Sequence, residues 1–255
     1  IIIVLTYFLV VIIAAFSGRI KNLTSDEYFL SSRNLKWYSI AISTIATNVQ
    51  GYQFLGMMGS AYLFGIAQAS LEINAIQGLF IAAFIFVPLF LKEKIITISQ
   101  FIKIKFGKTL SNTYSITYLL FFSTITIGAA LFWGAYATDA VFGNELSFIS
   151  ENRIYRIGVL IIFLGIFSAL YTFFGGLSAV VRTDIIQFSV LTFGGLTILA
   201  ICLTKIGGWN KLYELSPEKM HLFLGSDHQY LPWTHILGLF FLNINYWCAN
   251  QTVIQ

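Results

Sequence analysis

A single acidic residue, Glu72, stands in the run of 27 residues from Gly65 to Leu91, which contains no other charge. A helix of this length reaches about 40 Å, enough to cross a bilayer with some tilt. A carboxylate inside such a span is costly unless it faces a hydrated cavity or a partner. Glu72 therefore predicts a solute or ion site near mid-membrane. The alternative is a structural pair that joins two helices.

A second polar group interrupts the preceding apolar segment, where Asn48, Gln50, Gly51 and Gln53 fall within six residues. Such a stretch can give up helical hydrogen bonds where protein or water replaces them. Broken helices at mid-membrane expose carbonyl groups that coordinate a cation or hold a polar solute. We predict a break here, and the alternative is a continuous helix whose polar side chains pack against neighbours.

The last apolar segment carries a third polar group, with Asn243, Asn245, Tyr246 and Trp247 in its middle. This group is a candidate second interruption. Asparagine amides both donate and accept, which suits the hydroxyl groups of a sugar or polyol. The two aromatic rings can stack on the apolar face of a sugar. The alternative is hydrogen bonding and packing between helices.

These three polar groups predict one shared, hydrated pocket, because Gln53, Glu72 and Asn243 each lie near the middle of a different segment. Helical spacing directs Asn74 and Gln77 away from Glu72, so we predict that these two side chains make helix–helix contacts.

Other polar residues give weaker evidence for a functional site. Asp139 lies close to the outer end of its segment, so we expect its side chain to reach outward. Cys202 and Cys248 fall in apolar segments and predict neither a disulfide nor a metal site. The histidines have no metal-ligand spacing, and they are His221, His228 and His235.

The elements that must position these residues are membrane helices. The chain is 57% hydrophobic and only 10% charged, which excludes an ordinary soluble domain. We predict an all-α polytopic membrane protein with about seven spans, at residues 1–18, 37–63, 65–91, 110–141, 155–177, 184–206 and 233–255.

Lysine and arginine are distributed unequally between alternate loops. One set holds ten cations: Arg19, Lys21, Arg33, Lys36, Lys92, Lys94, Lys103, Lys105, Lys108 and Arg182. The other set holds five: Arg153, Arg156, Lys205, Lys211 and Lys219. This excess places the first set in the cytoplasm and the amino terminus outside. The net charge of +4 is thus a topology signal and does not predict nucleic-acid binding. The basic stretch Ile95–Lys108 is expected to lie along the inner membrane surface.

The chain resembles the sodium:solute symporter family, most closely its bacterial sodium/sugar (glucose/galactose) branch. The Gly-Gly-Leu-Ser-Ala-Val-Val segment from Gly175 is the most specific mark of this resemblance. The similar segments, in chain order, are Asp26–Leu30, Arg33–Trp37, Ala46–Val49, Gln53–Gly56, Gly65–Glu72, Ile96–Phe106, Gly175–Gln187 and Asn243–Gln255.

The resemblance implies roles for individual residues. Gln53, Glu72 and Asn243 match residues that hydrogen-bond the sugar, and Tyr246 matches an inner gate stacked on the sugar ring. Backbone carbonyls of Ala46 and Val49 match half of a sodium site. Asp184 matches an acid on the sodium path toward the cytoplasm.

The resemblance also implies an inverted-repeat transporter with discontinuous helices and about fourteen spans. Residues 1–255 would then be a single truncated transmembrane domain, the first half of that transporter, and the remaining sodium ligands would lie outside it. Ala75 replaces a serine that contacts sugar, and Leu71 and Ile73 replace aromatic residues, which leaves the identity of the sugar open.

The expected function is sodium-coupled symport of a sugar or polyol by alternating access, in a multi-pass protein of the cell membrane, here the bacterial inner membrane. Sodium is the co-transported ion, and the oligomeric state stays open. The alternatives are a symporter of another small solute, such as an amino acid or vitamin, and a membrane sugar sensor that does not transport. No pairing of a nucleophile with a base, metal motif or phosphate loop predicts an enzyme.

Overall fold

The computed structural model describes residues 2–17, 28 and 35–250, and its regular structure within these ranges is helical. The α-helices are α1 (Ile2–Phe16), α2 (Trp37–Asn48), α3 (Met58–Phe64), α4 (Ala69–Ile73), α5 (Ala75–Ile81), α6 (Val87–Lys92), α7 (Ile98–Phe106), α8 (Lys108–Phe121), α9 (Ile127–Phe142), α10 (Arg153–Ile206), α11 (Trp209–Leu215) and α12 (His235–Ala249). Short π-helical turns span Gln53–Met57, Ala82–Phe86 and Phe122–Thr126, and 3₁₀ turns span Gly65–Gln68 and Pro217–Lys219.

Three continuous helical stretches of the described residues are long and apolar enough to cross a membrane: Leu55–Lys92, Lys108–Phe142 and Arg153–Ile206. The shorter apolar helix α1 has 15 residues. This agrees with the prediction of a helical membrane protein, whereas the count of seven spans stays a prediction.

The longest stretch, α10, is divided at Gly176. As one straight helix its 54 residues would extend about 80 Å, more than twice the apolar thickness of a bilayer. Gly176 has φ 58° and ψ −160°, a conformation outside the helical region. It also lies against the backbone of Tyr28, where an added Cβ would be 2.8 Å from the carbonyl oxygen. Glycine is therefore required here both for its φ and for the close approach.

The contacts divide the chain into two compact units. The first comprises Ile1–Leu55 and Ile125–Cys202. In it, α1 packs on the first part of α10, where the Phe8 ring makes edge-to-face contacts with Phe163 and Phe167. The guanidinium of Arg182 donates to the carbonyls of Ala14 and Ala15, at 3.1 and 3.0 Å. These bonds satisfy acceptors that the end of α1 leaves without helical partners.

The second unit comprises Gly56–Thr124 and Leu203–Gln255. Helix α12 packs along α5 in this unit. The contact is close at Gly78, where an added Cβ would lie 2.7 Å from both the Asn243 carbonyl oxygen and Cδ1 of Trp247. The Asn74 amide donates to the Ile236 carbonyl at 3.1 Å, which confirms the helix–helix contact predicted for Asn74. That predicted for Gln77, which is exposed, stays a prediction.

The basic stretch forms helix α7, which begins after Thr97. The Thr97 hydroxyl caps the helix by accepting from the backbone N–H of Gln100 at 3.1 Å. Phe90, Ile95 and Ile98 form a buried cluster at its base. The five lysines of residues 92–108 are exposed. Most of the basic stretch is therefore helical, and its position at a membrane surface stays a prediction.

One expected interruption is wrong. Residues 242–249, which include both asparagines and the aromatic pair, belong to the uninterrupted helix α12. The helix ends only at Asn250, which has an extended backbone with φ −82° and ψ 126°. Packing against α5 supports the continuous helix. The side chains of Asn243 and Asn245 extend from α12, and its backbone stays helical at both residues.

Some predictions fall on other parts of the chain. Arg19, Lys21 and Arg33, which contribute to the charge tally, lie outside the described residues. So do residues 26–27, 29–30, 33–34 and 251–255 of the segments that resemble the symporter family.

We expect Gly78→Ala to destabilise the full-length protein by about 1–3 kcal/mol, because its methyl group would overlap the α12 backbone. Gly59→Ala is the matched control, since an added Cβ at Gly59, on α3, meets nothing within 4 Å. The apparent Tm of the detergent-solubilised protein measures both changes. Equal Tm values for the two variants would contradict the close packing of α5 and α12.

Candidate functional site

The predicted break in the second apolar segment is confirmed. Helix α2 ends at Asn48, and Val49 has an extended backbone with φ −89° and ψ 112°. Val49 and Gln50 are not helical, and regular structure resumes at Gly51. An extended residue cannot continue the helical hydrogen-bond ladder, so carbonyls at the end of α2 lack the amide partners that a continuous helix would supply.

The side chain of Gln53 supports this break. Its amide nitrogen donates to the Asn48 carbonyl at 2.9 Å. Its amide oxygen accepts from the backbone N–H of Gln50. One side chain therefore replaces two backbone hydrogen bonds that the interruption removes.

Gly51 permits a second backbone to approach the break. A Cβ at this position would lie 2.8 Å from the carbonyl carbon and oxygen of Trp133, on α9. A larger residue would force the two backbones apart. The sequence of the break thus combines an amide that satisfies its backbone with a glycine that allows close packing.

A cavity of about 230 Å³ lies beside the break, within the first unit. It brings together the end of α2 and residues from α1 and the second part of α10. Its lining residues are Tyr7, Ala46, Val49, Gln187, Phe188, Val190 and Leu191. Ala46 and Val49, the two residues that the resemblance places at a sodium site, thus line one cavity.

Asp184 lies about one helical turn before Gln187 and Phe188 on α10 and is only 5% exposed. It accepts a hydrogen bond from the Ser43 hydroxyl, and Thr47 also interacts with its carboxylate. The adjacent cation Arg182 binds carbonyls of α1 instead. Among the described residues, Asp184 therefore has hydroxyl partners and no cationic one. A buried carboxylate in such surroundings strongly favours a cation or a proton.

Ser43 was not among the residues predicted from the sequence. Its spacing contains a signal, because Ser43 and Thr47 are four residues apart and share one face of α2. The partner on α10 is 141 residues away, however, and helical spacing cannot reveal it. Tyr7 and Gln187 were missed for the same reason.

The remaining predicted site residues belong to the second unit. Glu72 lies on the short helix α4, is exposed, and has no side-chain hydrogen bond or ion pair with another described residue. Asn243 is half-buried on α12. Tyr246 is 38% exposed, and its ring lies 5.2 Å from that of Trp247 in an edge-to-face contact. The predicted convergence of Gln53, Glu72 and Asn243 on one pocket stays a prediction.

The expectation for Asp139 is wrong. Its side chain does not reach outward but is 4% exposed and bound by two arginines, at 2.9 Å from Nε of Arg153 and 2.5 Å from Nε of Arg156. The reason is that α10 begins at Arg153 and so brings both guanidiniums against the end of α9. This contact depends on the loop between the two helices, which the helical pattern does not predict.

The model of the sodium:solute symporter family matches residues 28–228. The chain belongs to this family. Its membership agrees with the prediction that the chain is not part of an enzyme. It also confirms the resemblance on which the residue roles rest.

Curated relatives of this family member include sugar and polyol cotransporters. It is 32% identical to a sodium/glucose cotransporter of Vibrio parahaemolyticus, with 91% of this chain and 43% of that protein covered. It is 26% identical to sodium/glucose cotransporter 1 of Oryctolagus cuniculus, over 99% of this chain and 41% of the relative. Sodium/myo-inositol cotransporter 2 of the same species is 27% identical, over 98% of this chain and 39% of that relative. The chain thus spans about two fifths of the length of these relatives.

A solved structure shares the fold of this family member. It is the substrate-bound, outward-open state of a Na⁺-coupled sialic acid symporter, with a TM-score of 0.77 and 20% identity. The match covers 98% of this chain and 51% of that chain.

We expect Gln53→Ala to lower the free energy of unfolding by about 1–3 kcal/mol even without solute, because the Asn48 carbonyl and the Gln50 N–H lose their partner. Gln53→Glu keeps an acceptor for Gln50 but places a carboxylate oxygen against the Asn48 carbonyl, so it should destabilise the protein at least as much as Gln53→Ala. The apparent Tm of the full-length protein in detergent measures both.

Gln77→Ala is the matched control, since it removes an exposed amide on α5. A Gln53→Ala protein as stable as Gln77→Ala would contradict the supporting role of Gln53 at the break.

Proposed function

We propose that the protein containing this chain is a sodium-coupled symporter that carries a sugar or polyol across the cytoplasmic membrane by alternating access. The observation that carries the proposal is the cavity beside the broken helix, lined by Ala46 and Val49, in a chain of the sodium:solute symporter family. Buried Asp184 lies one turn from its wall.

The chemistry of this region suits sodium, which is a hard cation that binds oxygen. Carbonyl groups of Ala46 and Val49 lie at a helix end, where the backbone is extended and the partial charge is negative. The Ala46 carbonyl accepts from the Val49 N–H at 3.3 Å and keeps a second lone pair for a cation. Freed carbonyls at broken helices are a recurrent way to coordinate Na⁺ in transporters. In this proposal these two carbonyls supply part of the sodium site.

Asp184 belongs to the proposed sodium path toward the cytoplasm. Its carboxylate has hydroxyl partners, Ser43 and Thr47, on the same helix that carries Ala46. A sodium ion leaving the cavity would meet these oxygens next. The charge of the sodium ion would compensate the Asp184 carboxylate, which has no cationic partner among the described residues.

The proposed solute site consists of Gln53, Glu72 and Asn243, with Tyr246 as the inner gate. A glutamine amide can make four hydrogen bonds, through two N–H groups and two lone pairs. Gln53 uses one of each on the broken backbone, which leaves one donor and one acceptor for a solute hydroxyl. Glu72 has no side-chain partner among the described residues, so its carboxylate is available for charge-assisted hydrogen bonds.

A neutral, hydroxyl-rich solute fits this set better than an anion, because an ionised Glu72 repels a carboxylate. The relatives named above are cotransporters of glucose and myo-inositol, which supports the sugar or polyol class. Ala75 stands where the sugar branch of the family has a serine that contacts sugar. The proposal therefore covers the class of sugars and polyols and names no particular sugar.

The proposal includes an architecture. The chain would form a single transmembrane domain with seven spans, the first part of a transporter built from inverted repeats. The excess of lysine and arginine in alternate loops would place the amino terminus outside and the basic helix α7 at the inner lipid surface of a bacterial membrane. Sodium bound from outside would favour the state that binds the solute, and its gradient would drive both inward.

We expect Glu72→Gln to raise the KM for the transported sugar by about 10- to 100-fold, because losing charge-assisted hydrogen bonds costs about 1.5–3 kcal/mol. Uptake of labelled glucose, galactose and myo-inositol into proteoliposomes, with and without a sodium gradient, measures this change. Glu93→Gln, which changes an exposed glutamate after α6, should behave as wild type.

Sodium-stimulated uptake with an unchanged KM in Glu72→Gln would refute the proposed role of Glu72. Sugar binding without accumulation under a sodium gradient would instead indicate a sensor. Stimulated uptake of an amino acid or vitamin alone would move the protein to another substrate class.

We expect Asp184→Asn and Ser43→Ala to raise the sodium concentration for half-maximal uptake several-fold, with a smaller change in sugar KM at saturating sodium. Asp184→Asn keeps the shape of the side chain but removes its charge. Ser43→Ala removes a hydroxyl group that donates to Asp184. Ser189→Ala is the control, because the Ser189 hydroxyl donates to the Ile185 carbonyl of its own helix at 2.8 Å. An unchanged sodium dependence in Asp184→Asn would exclude Asp184 from the sodium path.

A further inference from the structure

A second cavity of the first unit, of about 270 Å³, lies where α9 ends and α10 begins. It shares no lining residue with the cavity beside the broken helix. Its lining residues are Asp139, Ala140, Val141, Gly143, Asn144, Arg153 and Arg156. The proposed transport mechanism does not use it.

The ion pairs at this cavity leave one positive charge uncompensated. Asp139 is the single carboxylate that binds both guanidiniums, with Oδ2 2.9 Å from Nε of Arg153 and Oδ1 2.5 Å from Nε of Arg156. Asp139 and Arg156 are buried, so this cluster is only partly screened by solvent. Among the lining residues, two cations and one anion leave a net charge of +1. Glu145 and Glu151 of the same loop are exposed to solvent and do not line the cavity.

The arginines also retain hydrogen-bond donors. A guanidinium has five N–H groups. Arg156 uses Nε on Asp139 and Nη1 on the Ser150 carbonyl, at 2.9 Å. Its Nη2 lies over Gly143, 3.2 Å from the place where a Cβ would be, so a side chain there would crowd it.

Arg153 is the more accessible of the two. Its side chain is 52% exposed, and its guanidinium carbon lies 4.7 Å from the centre of the Tyr136 ring. Nε on Asp139 and the ring beneath hold the guanidinium in place. The Arg153 guanidinium also hydrogen-bonds Tyr136. Among the described residues Asp139 is its only carboxylate partner, and Arg153 lines the cavity.

A purely structural clamp explains Arg156, which ties the loop carbonyl of Ser150 to Asp139. It does not explain the second arginine, Arg153, which lines the same cavity and whose side chain is half exposed. The positive end of α10 adds to the local field, since Arg153 is its first residue. Part of that helix end is already capped, because the Asn152 side chain accepts from the Ile154 N–H at 2.9 Å.

We propose that this cavity binds a small oxyanion, a carboxylate or a phosphate group. Arg153 would supply the two parallel N–H groups of a bidentate contact, and Arg156 the buried counter-charge. A chloride ion offers a single acceptor atom, so it cannot pair a separate oxygen with each N–H of the planar fork. Asn144 also lines the cavity, and its side-chain amide would supply a neutral donor. The proposed topology would open this cavity to the outside, and the inference does not depend on that topology.

The test uses the purified full-length protein in a neutral detergent. Its apparent Tm is measured against rising acetate, inorganic phosphate or chloride, with ionic strength held constant. We expect a saturable rise in Tm with acetate or phosphate and none with chloride. Arg153→Gln should weaken the oxyanion response by about tenfold or more, and its Tm without oxyanion should change little because Arg156 still pairs with Asp139.

Two variants keep the result interpretable. Arg153→Lys retains the charge without the fork and should weaken the response less than Arg153→Gln, even if the latter folds poorly. Lys211→Gln removes an exposed cation paired with Glu214 at 3.0 Å and should respond as wild type. The same Tm response to chloride and to both oxyanions, in wild type and in Arg153→Gln, would be a general salt effect and would overturn the proposal.

Nanodiscs distinguish a free anion from a lipid headgroup as the source of the phosphate. In phosphatidylcholine nanodiscs, a free anion should still raise the Tm of the wild type. If the phosphate of phosphatidylglycerol occupies the cavity, that lipid should raise the Tm of the wild type but not of Arg153→Gln, and added phosphate should then have no further effect.

Discussion

A helix in a bilayer cannot leave its backbone N–H and C=O groups without partners, because the lipid offers none and each lost bond costs several kcal/mol. The break after α2 exists under this constraint. The Gln53 amide binds the Asn48 carbonyl and the Gln50 N–H and so stabilises two non-helical residues. The part of the first cavity that Ala46 and Val49 line depends on this arrangement, since a continuous helix would not present the Val49 backbone in an extended form.

The same constraint gives the buried acids different surroundings. Asp139 is neutralised by two arginines at the start of α10, so its charge is satisfied by protein alone. Asp184 has hydroxyl partners from α2, which solvate a carboxylate without cancelling its charge. The first arrangement holds the loop before α10 in place, and its two arginines exceed the charge of Asp139 by one positive charge. The second leaves a negative charge beside a cavity. This difference is the reason that we propose Asp184 for the path of a cation and the surroundings of Asp139 for the binding of an anion.

Gly78 and Gly51 illustrate how packing supports these sites without chemistry of their own. Each lets the backbone of another helix come within a distance that a methyl group would block. In a membrane, helices associate through such close contacts because apolar burial alone gives little preference for another helix over lipid. Small residues at defined positions therefore do the work that a large hydrophobic core does in water.

The sequence by itself determined the helical membrane class, the position of the break at Asn48–Gln53, the contact made by Asn74, and the family. These follow from composition, local polarity and short-range spacing, which act along one helix. The tertiary structure alone decided that Gln53 binds its own backbone, that Ser43 meets Asp184, that Arg153 and Arg156 bury Asp139, and that α12 continues through its asparagines. The partner of a polar side chain depends on which helix lies beside it, and Ser43 and Asp184 are 141 residues apart. Helical periodicity specifies the face on which a residue lies, but only the packed chain specifies what that face contacts.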